Sequence, residues 1–408
     1  SKGLEKITFL PNRFQMQTPV PLNYESLTND VRSLFQDKKE RLWMGLRDGK
    51  VRIYNKQEEF LGYLTANGTI SPTGEHIIGV AYHIMQDSKN RIWISTKGKG
   101  IYRLEDTGNS FRIRQFLSNP NDIYSLSDNN IYCMHEDANG RIWVATFGGG
   151  LNYMDEKKDG SVSFIHHQNN LKGYPIDECY RVRYVTSDSQ GNIWVGTTLG
   201  ALTFHKDFTN PESIRFNHHV RIPANKNSLS NNDVYWIRET KNKEVYLGTF
   251  GGGMNKLLSL RGDGKAEFHT YSTENGLPSD ILLAAAEDEE GNIWISSENG
   301  ICKFIPSEER ADSYKDENFD MYAGFNEAAA TSTLNGRLLF GTSNGWISFN
   351  PKSISKSDYI PPVTFSRLLI HNEEIRPGKG SILSNTINET DKIKLSHKQN
   401  VISIHYAA

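Results

Sequence analysis

Ile142-Trp143-Val144-Ala145-Thr146 and Ile193-Trp194-Val195-Gly196-Thr197 are two copies of one phrase, and that phrase decides the fold. It returns around an anchor position held by Trp43, Trp93, Trp143, Trp194, Tyr246, Trp294 and Leu339. The steps between anchors are 50, 50, 51, 52, 48 and 45 residues. A regular period of this length marks a repeat architecture. The residue before each anchor is aliphatic, as in Leu42, Ile92 and Ile293. Two residues after it stand the small Gly45, Ser95, Ala145, Gly196, Gly248, Ser296 and Gly341. A large anchor beside a small position suits a buried strand whose neighbouring sheet comes close, with no void between them.

Six residues before the anchor stand Asp37, Asp87, Asp137, Asp188, Thr240, Asp288 and Thr333, followed by turn formers such as Asn139-Gly140. An Asp or Thr oxygen can accept from the backbone two residues on, and Gly supplies positive φ. Each Asp therefore reads as the cap of a hairpin turn. Its recurrence in nearly every unit argues against a chemical role. An apolar run precedes each turn, as in Ile131–Glu136. A glycine then introduces a third run, as in Gly150–Met154, and most units add a fourth, as in Phe111–Phe116 or Phe164–His167. Four short antiparallel strands in about 50 residues make one propeller blade. No segment keeps a helical period.

The seventh unit has strands near Ala328–Thr333, Arg337–Thr342 and Trp346–Phe349 but no fourth. The run Leu4-Glu-Lys-Ile-Thr-Phe-Leu10 is an orphan strand at the other end of the chain. The expectation is that it completes the seventh blade and removes the open edge. The fold class expected is all-β: a seven-bladed β-propeller over 1–350, closed by the N-terminal strand. A linker and incomplete immunoglobulin-like sandwich follow over 351–408. In that tail, Pro351, Pro361 and Pro362 flank a polar linker. Val363–Ile370, Ile393–Leu395 and Val401–Tyr406 read as strands, with a turn at His371–Glu374. About 46 residues are too few for a sandwich of roughly 100.

The charge balance, 46 − 48 = −2, offers no basic excess for nucleic acid. No run of 18 apolar residues spans a membrane, and no signal peptide is visible. The chain opens mid-pattern at Ser1, which suggests an upstream part. Cys133, Cys179 and Cys302 lack metal spacing, and the pairs His166-His167 and His218-His219 point to opposite faces of a strand rather than forming a chelate. No metal or cofactor is expected.

The phrases Ser125-Leu-Ser-Asp-Asn-Asn-Ile131, Glu136-Asp137-Ala-Asn-Gly140, Arg141–Thr146 and Gly148-Gly-Gly-Leu151 resemble the two-component regulator propeller repeat. Ser26–Val31 and Ser228–Val234 echo its opening, and Pro361 to Tyr406 resembles the start of the Tyr-rich immunoglobulin-like domain that follows such propellers. The pairing resembles the periplasmic sensor region of Bacteroides-type hybrid two-component systems. That resemblance implies an oligosaccharide ligand, a homodimer, and a tether to the inner membrane and a histidine kinase elsewhere in the protein. It implies no catalysis by this segment.

In a propeller, the loops joining second to third strands share one face with the loops joining blades. First strands line the axis and begin near that face. The inter-blade loops carry Tyr24, Tyr124, Tyr174 and Asn231, and the first strands carry Tyr82, Tyr132, Arg181, Arg183, Tyr235 and Trp236. Sugars bind aromatic faces and planar hydrogen-bonding groups in a preformed cleft. The candidate ligand residues are Arg47, Tyr82, Lys97, Lys99, Phe147, Arg181, Arg183, Trp236 and Phe250, with Arg47, Lys97 and Lys99 suited to pair an acidic sugar. Phe147 and Phe250 occupy equivalent positions, which also suits loop bracing. Two other function classes compete. A sialidase- or lyase-like enzyme would need an opposed acidic pair, and none stands out from the turn positions. The turn Ser187–Gly191 with Trp194 only approximates a sialidase Asp-box, being one residue longer. A protein-interaction scaffold rests on shape alone.

Overall fold

The anchors organise the sheets they belong to. Each lies in the second strand of its sheet and is buried against the next sheet. Trp43 packs with Ile84, Ile94 and Leu104, and Trp143 with Val185 and Phe204. Trp294 packs with Phe340 and Phe349, and Leu339 closes the cycle against Val31, Leu34 and Met44 of the first sheet. A buried indole of this size contributes about 4–6 kcal/mol of transfer free energy. The small position two residues on is equally constrained. A Cβ on Gly45 would lie 2.7 Å from the Ala81 Cβ, and one on Gly341 would lie 2.5 Å from the Val31 carbonyl oxygen.

The computed structural model describes residues 14–20, 27–77, 79–314, 324–354 and 363–407. The chain divides into two compact units, Ser1–Ile354 and Ser355–Ala408. Among the described residues of the first unit, seven antiparallel sheets follow one another in an all-β, propeller-like arrangement. Their first strands are Val31–Gln36, Val80–Gln86, Ile131–Glu136, Val182–Ser187, Val234–Glu239, Leu282–Glu287 and Phe325–Ser332. These pack in a cycle, each on the next and the last on the first. Sheet 1 carries a fifth strand, Ile70–Ser71, outside the expected four.

Sheet 7 takes its outer strand from the N-terminal part of the chain, but not from the run expected. Gln15–Gln17 pairs with Gly345–Phe349 in the register Gln15↔Ser348 and Gln17↔Trp346. Leu4–Leu10 lies outside the described residues. The observed strand is polar apart from Met16, as an edge strand can be. It is held by Phe14, whose ring lies 4.7 Å from Phe349.

The capping Asp does more than close a turn. Asp137 Oδ1 accepts from the backbone N–H of Asn139 and Arg141 at 2.9 and 3.0 Å, while Oδ2 accepts from Trp143 Nε1 at 2.8 Å. The same Asp–indole bond is 2.9 Å at Trp43, 2.8 Å at Trp93, 2.9 Å at Trp194 and 2.8 Å at Trp294. Where the anchor is Tyr246 or Leu339, the turn residue is Thr240 or Thr333.

The second unit holds a three-stranded sheet of Glu373–Ile375, Thr364–Ile370 and Ile402–Ala407, with Thr364–Ile370 central. Two sequence expectations fail here. The turn is only His371-Asn372, both at positive φ, so that Glu373–Ile375 pairs as a strand. Ile393–Leu395 is irregular. Both edges of the central strand are occupied by the other two, and this short run joins no ladder.

Asp137→Ala should cost about 3 kcal/mol, because a buried indole N–H and two turn N–H groups lose an ionised acceptor. Thr240→Ala should cost under about 1 kcal/mol, its hydroxyl accepting only one long bond of 3.3 Å. Urea unfolding of the two variants checks the contrast, and equal losses would refute it.

Candidate functional site

Six of the seven first strands carry an extra residue at the same place. The register slips between Val31 and Ser33, Ala81 and His83, Ile131 and Cys133, Val182 and Tyr184, Val234 and Trp236, and Leu282 and Ala284. The residues left over are Arg32, Tyr82, Tyr132, Arg183, Tyr235 and Leu283. In sheet 7 the irregularity is longer, running from Phe325 to Ala330, with Ala328 at φ 53. It carries Glu327. A bulge re-aims one side chain without breaking the ladder around it. Here it turns one side chain per sheet toward its neighbours around the axis.

The contacts establish this ring. Arg32 lies over Tyr82 at 5.5 Å, and Tyr82 lies 4.6 Å from Tyr132. Arg183 lies over Tyr235 at 4.3 Å. Arg183 Nη1 also donates to Glu327 at 2.7 Å. Sheets 4 and 7 are not neighbours, so that this ion pair spans the axis. Asp233 fixes the other side of the guanidinium, accepting from Nε at 2.6 Å and Nη2 at 3.1 Å. Burial works against the Arg183 charge, but Glu327 and Asp233 outweigh it and raise its pKa. Burial raises the Glu327 carboxyl above its ordinary range, with Arg183 pulling the other way. Burial also pushes the Tyr235 hydroxyl up to about 12, keeping it a neutral donor.

Two aromatic stacks flank this network. Phe147 lies 4.4 Å from Tyr132 at 13° between planes, and Phe250 lies 5.2 Å from Tyr235 at 27°. Arg181 and Arg183 lie over the Phe147 ring at 5.6 and 5.2 Å. Phe250 remains 41% exposed, which makes it a surface of the mouth rather than filler.

Five of the nine candidate residues therefore meet at one place: Tyr82, Phe147, Arg181, Arg183 and Phe250. Among the described residues Arg47 connects to the ring only through Asp30, which holds its guanidinium at 3.1 Å and lies 3.5 Å from Arg32. Lys97 and Lys99 are exposed and make no side-chain ion pair among the described residues. Trp236 is a correction: it is 2% exposed and packs in the core with Tyr246, Met254 and Leu282. The bulge is the reason, since Tyr235 takes the axial direction and Trp236 turns into the sheet interface over Gly248. Tyr174, expected on a loop of this face, is also buried. Tyr24 lies outside the described residues. Arg32, Tyr132, Asp233, Tyr235 and Glu327 belong to the ring without having been candidates. For all of these but Asp233, the missed signal is a position eleven residues before the anchor, twelve in the last unit.

Behind the ring, His83 accepts from the Met134 backbone N–H at 3.4 Å, and His135 Nε2 meets Ser187 Oγ at 2.7 Å. Burial lowers both imidazoles to about 4. They are packing residues, neutral at physiological pH.

The comparisons with known proteins follow this geometry. Residues 125–148, leading into and through the first two strands of sheet 3, match the family described as two component regulator propeller. The histidine kinase P4 of Formosa agariphila is 22% identical over 389 residues, 93% of this chain and 26% of that protein. The chain thus spans about a quarter of that kinase's length. Among solved structures, a virginiamycin B lyase from Staphylococcus aureus is 14% identical, covering 82% of this chain and 98% of the lyase at a TM-score of 0.57. The extracellular domain of a hybrid two component system from B. thetaiotaomicron is 20% identical, covering 92% of this chain and 58% of that one at a TM-score of 0.37. The likeness to the lyase is one of fold alone.

Trp236→Ala should lose about 3–5 kcal/mol of stability through the cavity it leaves. Phe250→Ala should lose under about 1 kcal/mol, its site being open to solvent. Thermal unfolding of the two variants decides whether Trp236 is core. A second expectation concerns pH. His83 and His135 titrate near 4 in the folded chain and near 6.5 when unfolded. Between those values the unfolded chain binds more protons, so that stability is full above about 6.5 and is lost as pH falls toward 4. The unfolding midpoint should drop across that window, and less steeply in His83→Gln/His135→Gln. An equally steep drop in the double variant would exclude the pair as its cause.

Proposed function

We propose that this chain is part of the extracytoplasmic sensor of a two-component histidine kinase, and that its axial mouth binds an oligosaccharide without turning it over. The carrying observation is the pair of aromatic stacks on either side of the Arg183–Asp233–Glu327 network. Planar charged groups already locked to one another present fixed hydrogen-bonding edges to hydroxyls. The flanking rings offer apolar faces at little entropic cost. The propeller repeat at 125–148 and the similarity to a histidine kinase along 93% of the chain support the signalling context. Among the described residues no helix is long and apolar enough to cross a membrane. On this reading the segment is periplasmic, and other parts of the protein carry the membrane tether and the phosphotransfer chemistry.

The finer architecture belongs to the same reading: a seven-bladed ring, then the beginning of an immunoglobulin-like sandwich, working as a homodimer. The seven sheets in cyclic contact support the ring. The exposed Ile402, Ile404 and Tyr406 of the small sheet suit a sandwich half that lacks its partner sheet. Ligand shifts signalling only by its differential affinity for two arrangements of the sensor.

A panel of defined neutral and acidic oligosaccharides, titrated calorimetrically, tests the mouth. A saturable ligand should bind at least tenfold more weakly to Phe250→Ala and to Arg181→Ala, with unfolding midpoints preserved. Sustained release of product would replace the sensor reading with an enzyme. A ligand indifferent to both substitutions would remove the mouth.

A further inference from the structure

A second cleft lies on the opposite face of the first unit, where first-to-second and third-to-fourth strand turns gather. Its origin is a shortened strand. In sheets 2, 3, 5 and 6 the third and fourth strands join through four or five residues, at 107–110, 157–161, 261–265 and 306–309. In sheet 4 the connection runs over 206–216, and the fourth strand is only Asn217–His219. That strand pairs with Ala201–Thr203, leaving Phe204 and His205 with no outer neighbour. The missing half-strand opens a cleft of about 960 Å³, walled on the far side by the Arg261–Gly264 turn of sheet 5. This is the upper part of the range for small-ligand sites, about 300–1,000 Å³.

The walls are built closely. Gly264, at φ +84, a conformation that favours glycine, packs directly on the Asn217 carboxamide, where a Cβ would lie 2.0 Å from Oδ1. Phe208 forms a fixed half-buried platform, backed by the Arg141 guanidinium 4.1 Å from its ring centre. The charges of the lining are unequal in commitment. Asp207 already accepts from Asn139 Nδ2 at 2.9 Å and Lys206 Nζ at 3.0 Å. Asp263 Oδ1 accepts from the Lys265 N–H across its own turn. The side chains of Arg215 and Arg261 are exposed and make no ion pair or hydrogen bond among the described residues. The carboxamides of Gln190 and Asn217 are likewise without hydrogen bonds among the described residues.

We propose that this cleft is a second binding site, separate from the axial mouth, for an acidic oligosaccharide. The two uncommitted guanidiniums meet its carboxylate or sulfate groups, for which the planar fork is suited. The carboxamides meet hydroxyls, and Phe208 carries a sugar face. A neutral glycan would meet the arginines through hydroxyls alone and leave both charges uncompensated, and an apolar ligand would strand the amides.

The test uses the whole 408-residue chain. Two probes, tetragalacturonate and a heparin-derived tetrasaccharide, are titrated by calorimetry beside the uncharged galactotetraose. At least one acidic probe should saturate, with galactotetraose at least tenfold weaker. Arg215→Ala/Arg261→Ala should weaken the acidic probe at least tenfold, with an unchanged unfolding midpoint. Arg181→Ala at the axial mouth should leave that binding as it is. No saturation by either acidic probe, or unchanged affinity in the double variant, would overturn the site. Loss in Arg181→Ala with none in the double variant would overturn it too, while leaving the mouth in place.

Discussion

The bond from a buried Asp to a buried indole is the constraint on which the propeller unit depends. Trp43, Trp93, Trp143, Trp194 and Trp294 are fully buried, and an indole N–H in that position costs free energy unless it finds an acceptor. The acceptor comes from the preceding hairpin turn, whose Asp also collects two backbone N–H groups in four of the five units and one at Asp87. One carboxylate thereby fixes the turn, the register of the second strand and the orientation of the ring that fills the gap to the next sheet. Turn chemistry and sheet stacking become a single requirement. The exceptions follow the same rule. Tyr246 sends its hydroxyl to Glu244 at 2.9 Å, and Leu339 has nothing to donate. In both units the Asp is replaced by Thr, which serves the turn alone.

A framework repeated this strictly frees one position per sheet. The bulge in each first strand removes its residue from the ladder, so that its identity is not dictated by stacking. Arg32, Tyr82, Tyr132, Arg183, Tyr235, Leu283 and Glu327 accordingly share a place but not a chemistry. The exceptional bulge of sheet 7 brings a carboxylate across the axis to Arg183. Its Ala328 sits at positive φ, a conformation that costs a non-glycine residue free energy and persists where its surroundings impose it.

Trp236 marks where one-dimensional reading stops. Alternation puts neighbours on opposite faces of a strand, and an aromatic pair such as Tyr235-Trp236 gives no sign of which faces the axis. The bulge assigns the axis to Tyr235 and the core to Trp236. Glu327 shows the same limit at longer range, being 144 residues from Arg183. Gln15–Gln17 shows another. An edge strand needs backbone groups more than apolar side chains, so this one is nearly invisible beside the more apolar Leu4–Leu10. The reverse holds for Ile393–Leu395, apolar enough to read as a strand but irregular in the structure.

The sequence by itself determined the repeat, its four-strand unit, the turn caps and the anchors, because each of these is a local pattern that packing requires to recur. It also brought five of the candidate residues together at one end of the axis, since the strand order of a blade settles which ends share a face. Only the tertiary structure decided which side chains the bulges turn inward. It alone paired Arg183 with Asp233 and Glu327, and it alone showed that a shortened fourth strand opens a cleft on the other face. Those features depend on register slips and on contacts between distant sheets, and neither leaves a periodic trace in the chain.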